Sequence, residues 1–168
     1  MTCPNVDPRG HLKAVDPSLA NVIVRAGQIA WERWKLAFIV IEGLRSTEQC
    51  HINWGKGRTA AECVAVGVAA KHAQPKLRKV TWTLNSKHKK QANGFSAAAD
   101  VLPAPYDWKI DDPKSTPEVD DAFAKVNLAM MQAARELGVG IRWGANWNGD
   151  TKIREKGEGD NPHFELKR

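Results

Sequence analysis

An α+β fold is predicted for this chain, with a small antiparallel sheet packed against two main helices. Two observations carry the prediction. Apolar residues recur at helical spacing over two long segments, one near the N-terminus and one beyond position 117. Short runs of β-branched and aromatic residues, bounded by turn formers, lie after each of them and read as strands.

Leu19, Val22, Ile23, Ala26, Ile29, Ala30 and Trp34 form the first stripe, with Asp16 or Ser18 as the N-cap, so one face of this helix meets a core. Phe38-Ile39-Val40-Ile41 is short, β-branched and stops at Glu42-Gly43, which predicts a buried strand. A polar stretch, Arg45 to Asn53, follows, with a short helix starting at Ser46 or Thr47. The second long helix is announced by Ser115-Thr116-Pro117-Glu118: Ser115 and Glu118 have capping-box spacing, and Pro117 suits a first turn. Its stripe is Val119, Ala122, Phe123, Val126, Met130, Ala133 and Leu137, and Met130 and Met131 are packing residues. Gly138 stands just past the stripe, where helices end, and Ile141-Arg142-Trp143 predicts a further strand. Asn93-Gly94 and Asn148-Gly149 mark turns, and residues 144–159 read as a long polar loop. No internal repeat or linker divides the chain, so residues 1–168 are expected to form one domain.

At 168 residues and 42% apolar content, the chain is large enough to bury about two-thirds of its unfolded surface. Its apolar runs fall short of the ~20 residues of a membrane helix. The start, Met1-Thr2-Cys3-Pro4-Asn5, has neither a basic segment nor a hydrophobic signal core, so synthesis in the cytoplasm without membrane insertion is expected. A net charge of +6 and a pI near 9.3 favour a polyanionic partner: nucleic acid, anionic lipid or an anionic wall polymer. Basic residues cluster at Lys71, Lys76, Arg78 and Lys79 and again at Lys87, Lys89 and Lys90, but no RNA-binding or helix-turn-helix signature accompanies them. A solvated basic surface, not a nucleic-acid site, is the expectation. Cys3, Cys50 and Cys63 are odd in number and far apart, which predicts free thiols.

The chemistry concentrates in Ser86-Lys87-His88, Asp100 and the closing stretch Asp160-Asn161-Pro162-His163-Phe164-Glu165. Two histidines and an aspartate, brought together by folding, can hold zinc and leave a fourth position for water. Zinc lowers the pKa of its water to about 7, and an unligated carboxylate such as Asp160 can take the proton during attack on a carbonyl. That is peptidase chemistry. His11, His51 and His72 read as surface or hydrogen-bonded structural histidines.

Four ordered blocks resemble one family. They are Glu42-Gly43-Leu44-Arg45-Ser46-Thr47-Glu48-Gln49; Gly57-Arg58-Thr59 with Val80-Thr81-Trp82; Ser86-x-His88 leading to Ser96-x-Ala98-x-Asp100; and Trp143-Gly144 with Asp160-x-x-His163-Phe164-Glu165. Together they resemble the zinc D,D-peptidase superfamily of vancomycin-resistance carboxypeptidases, and within it the phage L-alanyl-D-glutamate endopeptidases that act as endolysins. The resemblance implies a hedgehog/D,D-peptidase-like sheet with Zn2+ on one face, bound by His88, Asp100 and His163. It implies Asp160 as general base and Arg45 as oxyanion stabiliser, a role that a permanently charged, rigid donor fork suits. Ser86 would orient a ligand or the substrate. Gln49, Trp143 and Glu165 are placed as substrate-binding or supporting residues, with Gln49 equally readable as helix surface and Trp147 placed beside Trp143 near the cleft. Glu165 is also the rival base, because strand alternation puts it on the face of His163.

The chain departs from the commoner His-x-x-Gly-x-Ala-x-Asp form: Lys89-Lys90-Gln91-Ala92-Asn93 lengthens the segment and Ser96 stands where the glycine would be. The stretch from Ala60 to Arg78 is also longer than in the family, with room for an extra helix. The implied activity is cleavage of peptidoglycan stem peptides at the L-alanyl-D-glutamate bond by a monomeric phage lysis enzyme. No separate wall-binding domain is expected, and action in the periplasm would follow release by a holin. The alternatives are a D,D-carboxypeptidase or dipeptidase releasing D-alanine, and a non-catalytic wall-binding module, as in the signalling domain of hedgehog proteins. The presence of both Arg45 and Asp160 counts against the module.

Overall fold

The computed structural model describes residues 2–104 and 117–167, without the side chains of Pro117 and Val119. Helix α1, Pro17–Trp34, begins where the Asp16 carboxylate accepts from Ser18 N at 3.0 Å, satisfying a free N–H of the first turn. It ends at Lys35, whose positive φ of 53° lets its N–H reach back to Ala30 and Trp31. Helix α4, Pro117–Leu137, buries Phe123, Val126, Met130 and Ala133 and stops before Gly138 at φ 67°. The Ser115 end of the expected capping box and the Val119 position of the stripe lie outside the described residues. The two helices pack on each other, and Arg25 of α1 pairs with Glu136 of α4 at 2.7 Å.

Four antiparallel strands form one sheet in the order β1-β2-β4-β3: β1 is Phe38–Glu42, β2 Ala98–Pro103, β3 Ile141–Trp143 and β4 His163–Leu166. Strand alternation divides their side chains between two faces. Phe38, Val40, Ala99, Val101, Ile141, Trp143, Phe164 and Leu166 join the buried stripes of α1 and α4 in one hydrophobic core. Ile39, Asp100, Leu102, Arg142, His163 and Glu165 line a cleft on the other face. Trp143 therefore belongs to the core and not to the cleft as expected: it stacks on Phe164 at 6.2 Å and donates its indole N–H to Asn161 O at 2.6 Å. Near the end of β1 the register slips, with Val40 opposite Val101 but Glu42 opposite Asp100. This one-residue bulge re-aims Glu42 into the cleft.

Between β1 and β2 the chain forms α2, Thr47–Gly55, capped by Ser46, then α3, Ala60–Val64, with a Thr59–Glu62 capping box, and a 3-10 turn, Ala70–His72. The extra residues after His88 are looped out as a turn. Gln91 N bonds Phe95 O at 2.8 Å, Gly94 supplies a φ of 90°, and Asn93 Nδ2 ties the turn to Asp16 at 2.7 Å. The chain thus returns to β2 with Asp100 still facing the cleft. Among the described residues, no helix is long and apolar enough to cross a membrane.

Candidate metal centre

The sheet register places Asp100 of β2 directly opposite His163 of β4. His88 arrives from the preceding loop, where its backbone is fixed on three sides. Its carbonyl accepts from Arg45 N at 2.8 Å, its N–H donates to Ser86 Oγ at 3.2 Å, and Ala97 N bonds the neighbouring Lys87 O at 2.9 Å. Ser86 lines the cleft and shapes the turn that presents His88.

Nδ1 of His88 lies 2.7 Å from Gly43 O and donates to it, which leaves Nε2 as the lone-pair nitrogen facing the site. His163 is oriented the other way round: its Nε2 meets Glu165 Oε2 at 3.1 Å, so Nδ1 faces inward. His88 Nε2, His163 Nδ1 and Asp100 Oδ1 then form a triangle with sides of 3.1, 3.1 and 3.2 Å. Three lone pairs converging at that distance repel unless a proton or cation sits among them. A tetrahedral zinc with bonds of about 2.0–2.1 Å needs ligand atoms about 3.3 Å apart, so the donor set fits such an ion.

The electrostatics of the site without metal reflect the same convergence. Burial alone would raise the Asp100 pKa, but His88 and His163 outweigh it and hold the carboxyl well below the usual carboxylate range. For His163, burial disfavours the charge, yet hydrogen bonds to Asp100 and Glu165 push its pKa up to about 10. Glu165 is likewise held low, its burial outweighed by His163 and Arg142. Both Glu165 oxygens are engaged, one by His163 and one by Arg142, so its carboxylate fixes the orientation of the His163 ring.

Asp160 lies in the cleft, with its side chain open to solvent. Surrounding protein atoms, and then the charge of Asp100, raise its pKa above the ordinary value. Its backbone is held from both sides: its N–H reaches Gly144 O at 3.3 Å and its carbonyl accepts from His163 N at 3.2 Å. Arg45 also lines the cleft, with Nη2 at 3.8 Å from Asp100 Oδ2. A forked pair with Glu42 uses its Nε and Nη2.

The cleft has a volume of about 1190 Å³, above the usual range of small-molecule pockets. Among the described residues, Trp147 is the tryptophan that reaches it, its ring 5.3 Å from that of His163. Gln49 does not reach it; it sits on the exposed face of α2 with its amide bonded to Asn53 at 3.2 Å. Among the cleft residues that the sequence reading does not single out, Glu42 and Arg142 bear on the site. Glu42 could have been noticed from its three-residue spacing to Arg45, and Arg142 from its alternation with Ile141 and Trp143.

The fold and the site define an α+β domain with a two-histidine, one-aspartate candidate metal centre on the cleft face of its sheet. The chain belongs to the phage L-alanyl-D-glutamate peptidase family, whose profile matches residues 6–167. It is thus a peptidase of the peptidoglycan-hydrolase class. The crystal structure of the Serratia marcescens L-Ala D-Glu endopeptidase ChiX is similar, with a TM-score of 0.53 and 26% sequence identity over 94% of this chain and 84% of that one. Among curated proteins, none matches the chain.

Proposed function

We propose that this protein is a zinc-dependent endopeptidase that cleaves the L-alanyl-D-glutamate bond of peptidoglycan stem peptides and serves as a phage endolysin. The observation that carries the reading is the triangle of His88, Asp100 and His163 donors facing a cleft that also holds Asp160 and Arg45. Zinc bound there would supply Lewis acidity and a water acidic enough to react near neutral pH. His88 and His163 present fixed nitrogens because Gly43 O and Glu165 hold the far side of each ring. Asp160 takes the proton of the attacking water and delivers it to the leaving amine. Arg45, aimed by Glu42, donates to the carbonyl oxygen as negative charge gathers on it. The basic surface favours encounter with an anionic wall. Action in the periplasm after release by a holin completes the reading.

The test is mass spectrometry of fragments released from purified peptidoglycan. New N-terminal D-glutamate, with glycan strands bearing only L-alanine and no free D-alanine, is the expected result. Release of D-alanine without new N-terminal glutamate would replace this reading with a carboxypeptidase. Intact walls treated with zinc-loaded protein would replace it with a binding module.

A further inference from the structure

Away from the cleft, Glu48, His51 and His72 bring one carboxylate oxygen and two ring nitrogens within 4.8 Å of one another. Glu48 and His51 stand three residues apart on α2, a spacing that puts both on one helix face. His72 comes from the 3-10 turn Ala70–His72; it is 7% exposed, and its Nε2 lies 3.4 Å from Glu48 Oε1. From this geometry we infer a second metal site, for a zinc-class divalent ion, that cross-links the 56–82 segment to α2.

Both sides of the site are held in place before any ion arrives. The His72 carbonyl packs so close to Gly55 that a Cβ there would sit 1.8 Å from it, so α2 and the turn meet at a fixed distance. Gln74 N bonds Gly55 O at 2.9 Å and Gly57 N bonds Gln74 O at 2.8 Å, closing the same seam. A tetrahedral ion needs donors about 3.3 Å apart, and the exposed Glu48 and half-buried His51 can close the remaining gap by side-chain rotation. Two imidazoles and a carboxylate select zinc-like ions over calcium or magnesium, and leave a position for water. Lys71 Nζ now lies 3.3 Å from Glu48 Oε1, but an exposed ion pair is weak, and the long Lys71 side chain can swing away.

The segment has a reason to need such a tie. Among the described residues, 44–96 contribute nothing to the main hydrophobic core. Within 56–82 only Cys63 and Val68 are buried apolar residues, while Val64, Val66, Leu77, Val80 and Trp82 are exposed. A lobe with so small a core gains most from a cross-link, and a metal is one way small units obtain it. The stretch from Ala60 to Arg78, longer here than the family resemblance leads one to expect, contains the 3-10 turn that carries the third ligand.

The experiment equilibrates purified protein with buffered zinc and counts bound metal by elemental analysis, with limited proteolysis of the 56–82 segment in parallel. Wild type is expected to hold two zinc ions per chain and His88→Ala one. Glu48→Gln, a change on an exposed side chain that does not threaten the fold, and His72→Ala should each lose one ion. In the His88→Ala background, zinc should slow cleavage within 56–82, and adding Glu48→Gln should abolish that protection. One zinc in wild type and none in His88→Ala overturns the second site, as does Glu48→Gln retaining two ions with protection unchanged. Failure of the cleft site alone reads differently: His88→Ala then keeps as much zinc as wild type.

Discussion

The Glu42 carboxylate grips the Arg45 guanidinium by two of its donors, Nε at 2.8 Å and Nη2, three residues along the chain. The pair exists because the β1 bulge turns Glu42 onto the cleft face, opposite Asp100 in the strand register. A planar fork gripped at two points has a fixed direction, and both N–H groups of Nη1 and the second N–H of Nη2 lie outside the pair with Glu42.

Arg45→Ala should keep its metal and lose about two to three orders of magnitude in kcat, the effect of removing an oxyanion donor. Glu42→Gln retains one acceptor for the guanidinium and should lose about tenfold in kcat/KM, or about 1.4 kcal/mol. Steady-state kinetics beside zinc analysis separates the two effects. Loss of zinc in Glu42→Gln would show that Glu42 supports the ligands and not the arginine.

Asp160 and Glu165 are distinguished by their partners, and so by what their amides should do. Asp160→Asn should retain zinc and lose hydrolysis by about 10²–10⁴-fold, because the amide cannot accept the water's proton. Glu165→Gln should weaken zinc binding by about 10–100-fold through the His163 ring it orients, with turnover largely restored at saturating zinc. If Asp160→Asn stays active and zinc-saturated Glu165→Gln is dead, the base is Glu165.

Metal removal should stop catalysis without unfolding the chain. The donor triangle lies on the cleft face, while the apolar core fills the opposite face of the sheet. Chelation should therefore abolish activity reversibly and leave far-UV circular dichroism unchanged, with a fall in Tm that readded zinc reverses. Alanine at His88, Asp100 or His163 should remove metal and activity together. Full zinc occupancy of the cleft site in Asp100→Ala would remove that residue from the ligand set.

Local chemistry made some elements legible and left others hidden. Asp16, Gly138 and the apolar stripes of α1 and α4 carry their own caps and periodicity, and both helices lie where those marks place them. β2 carries no such mark: Ala97-Ala98-Ala99 favours a helix on propensity, and it is the pairing with β1 and β4 that makes it a central strand. The site residues were legible as a set of motifs, but their division of labour was not. His163 and Glu165 share a face, as alternation requires, and the hydrogen bond between them, on which the proposed orienting role of Glu165 rests, comes only with the fold. Trp143 was misplaced because its motif was read without the alternation of β3, which puts Trp143 with Ile141 in the core and Arg142 in the cleft. His51 and His72, dispersed in sequence, become neighbours only through the fold.

Gly144 joins the two halves of the proposed machinery. It donates its N–H to His163 O at 2.8 Å and accepts from Asp160 N at 3.3 Å, so base and ligand are held by one residue. A Cβ at this position would lie 2.4 Å from Asp160 O, 2.8 Å from Asp160 Cβ and 3.0 Å from His163 Cβ. None of these atoms is the free end of a flexible side chain, so the backbone itself would have to move. Gly144→Ala should therefore cost about 1–3 kcal/mol of stability, as overpacking does, and should lower both zinc affinity and turnover. Gly159→Ala is the matched control, because a Cβ there meets nothing within 4 Å. Thermal melts, zinc titration and wall-lysis assays on the two variants test the claim. A Gly144→Ala protein as stable and as active as Gly159→Ala would mean that the close approach does not set the position of Asp160.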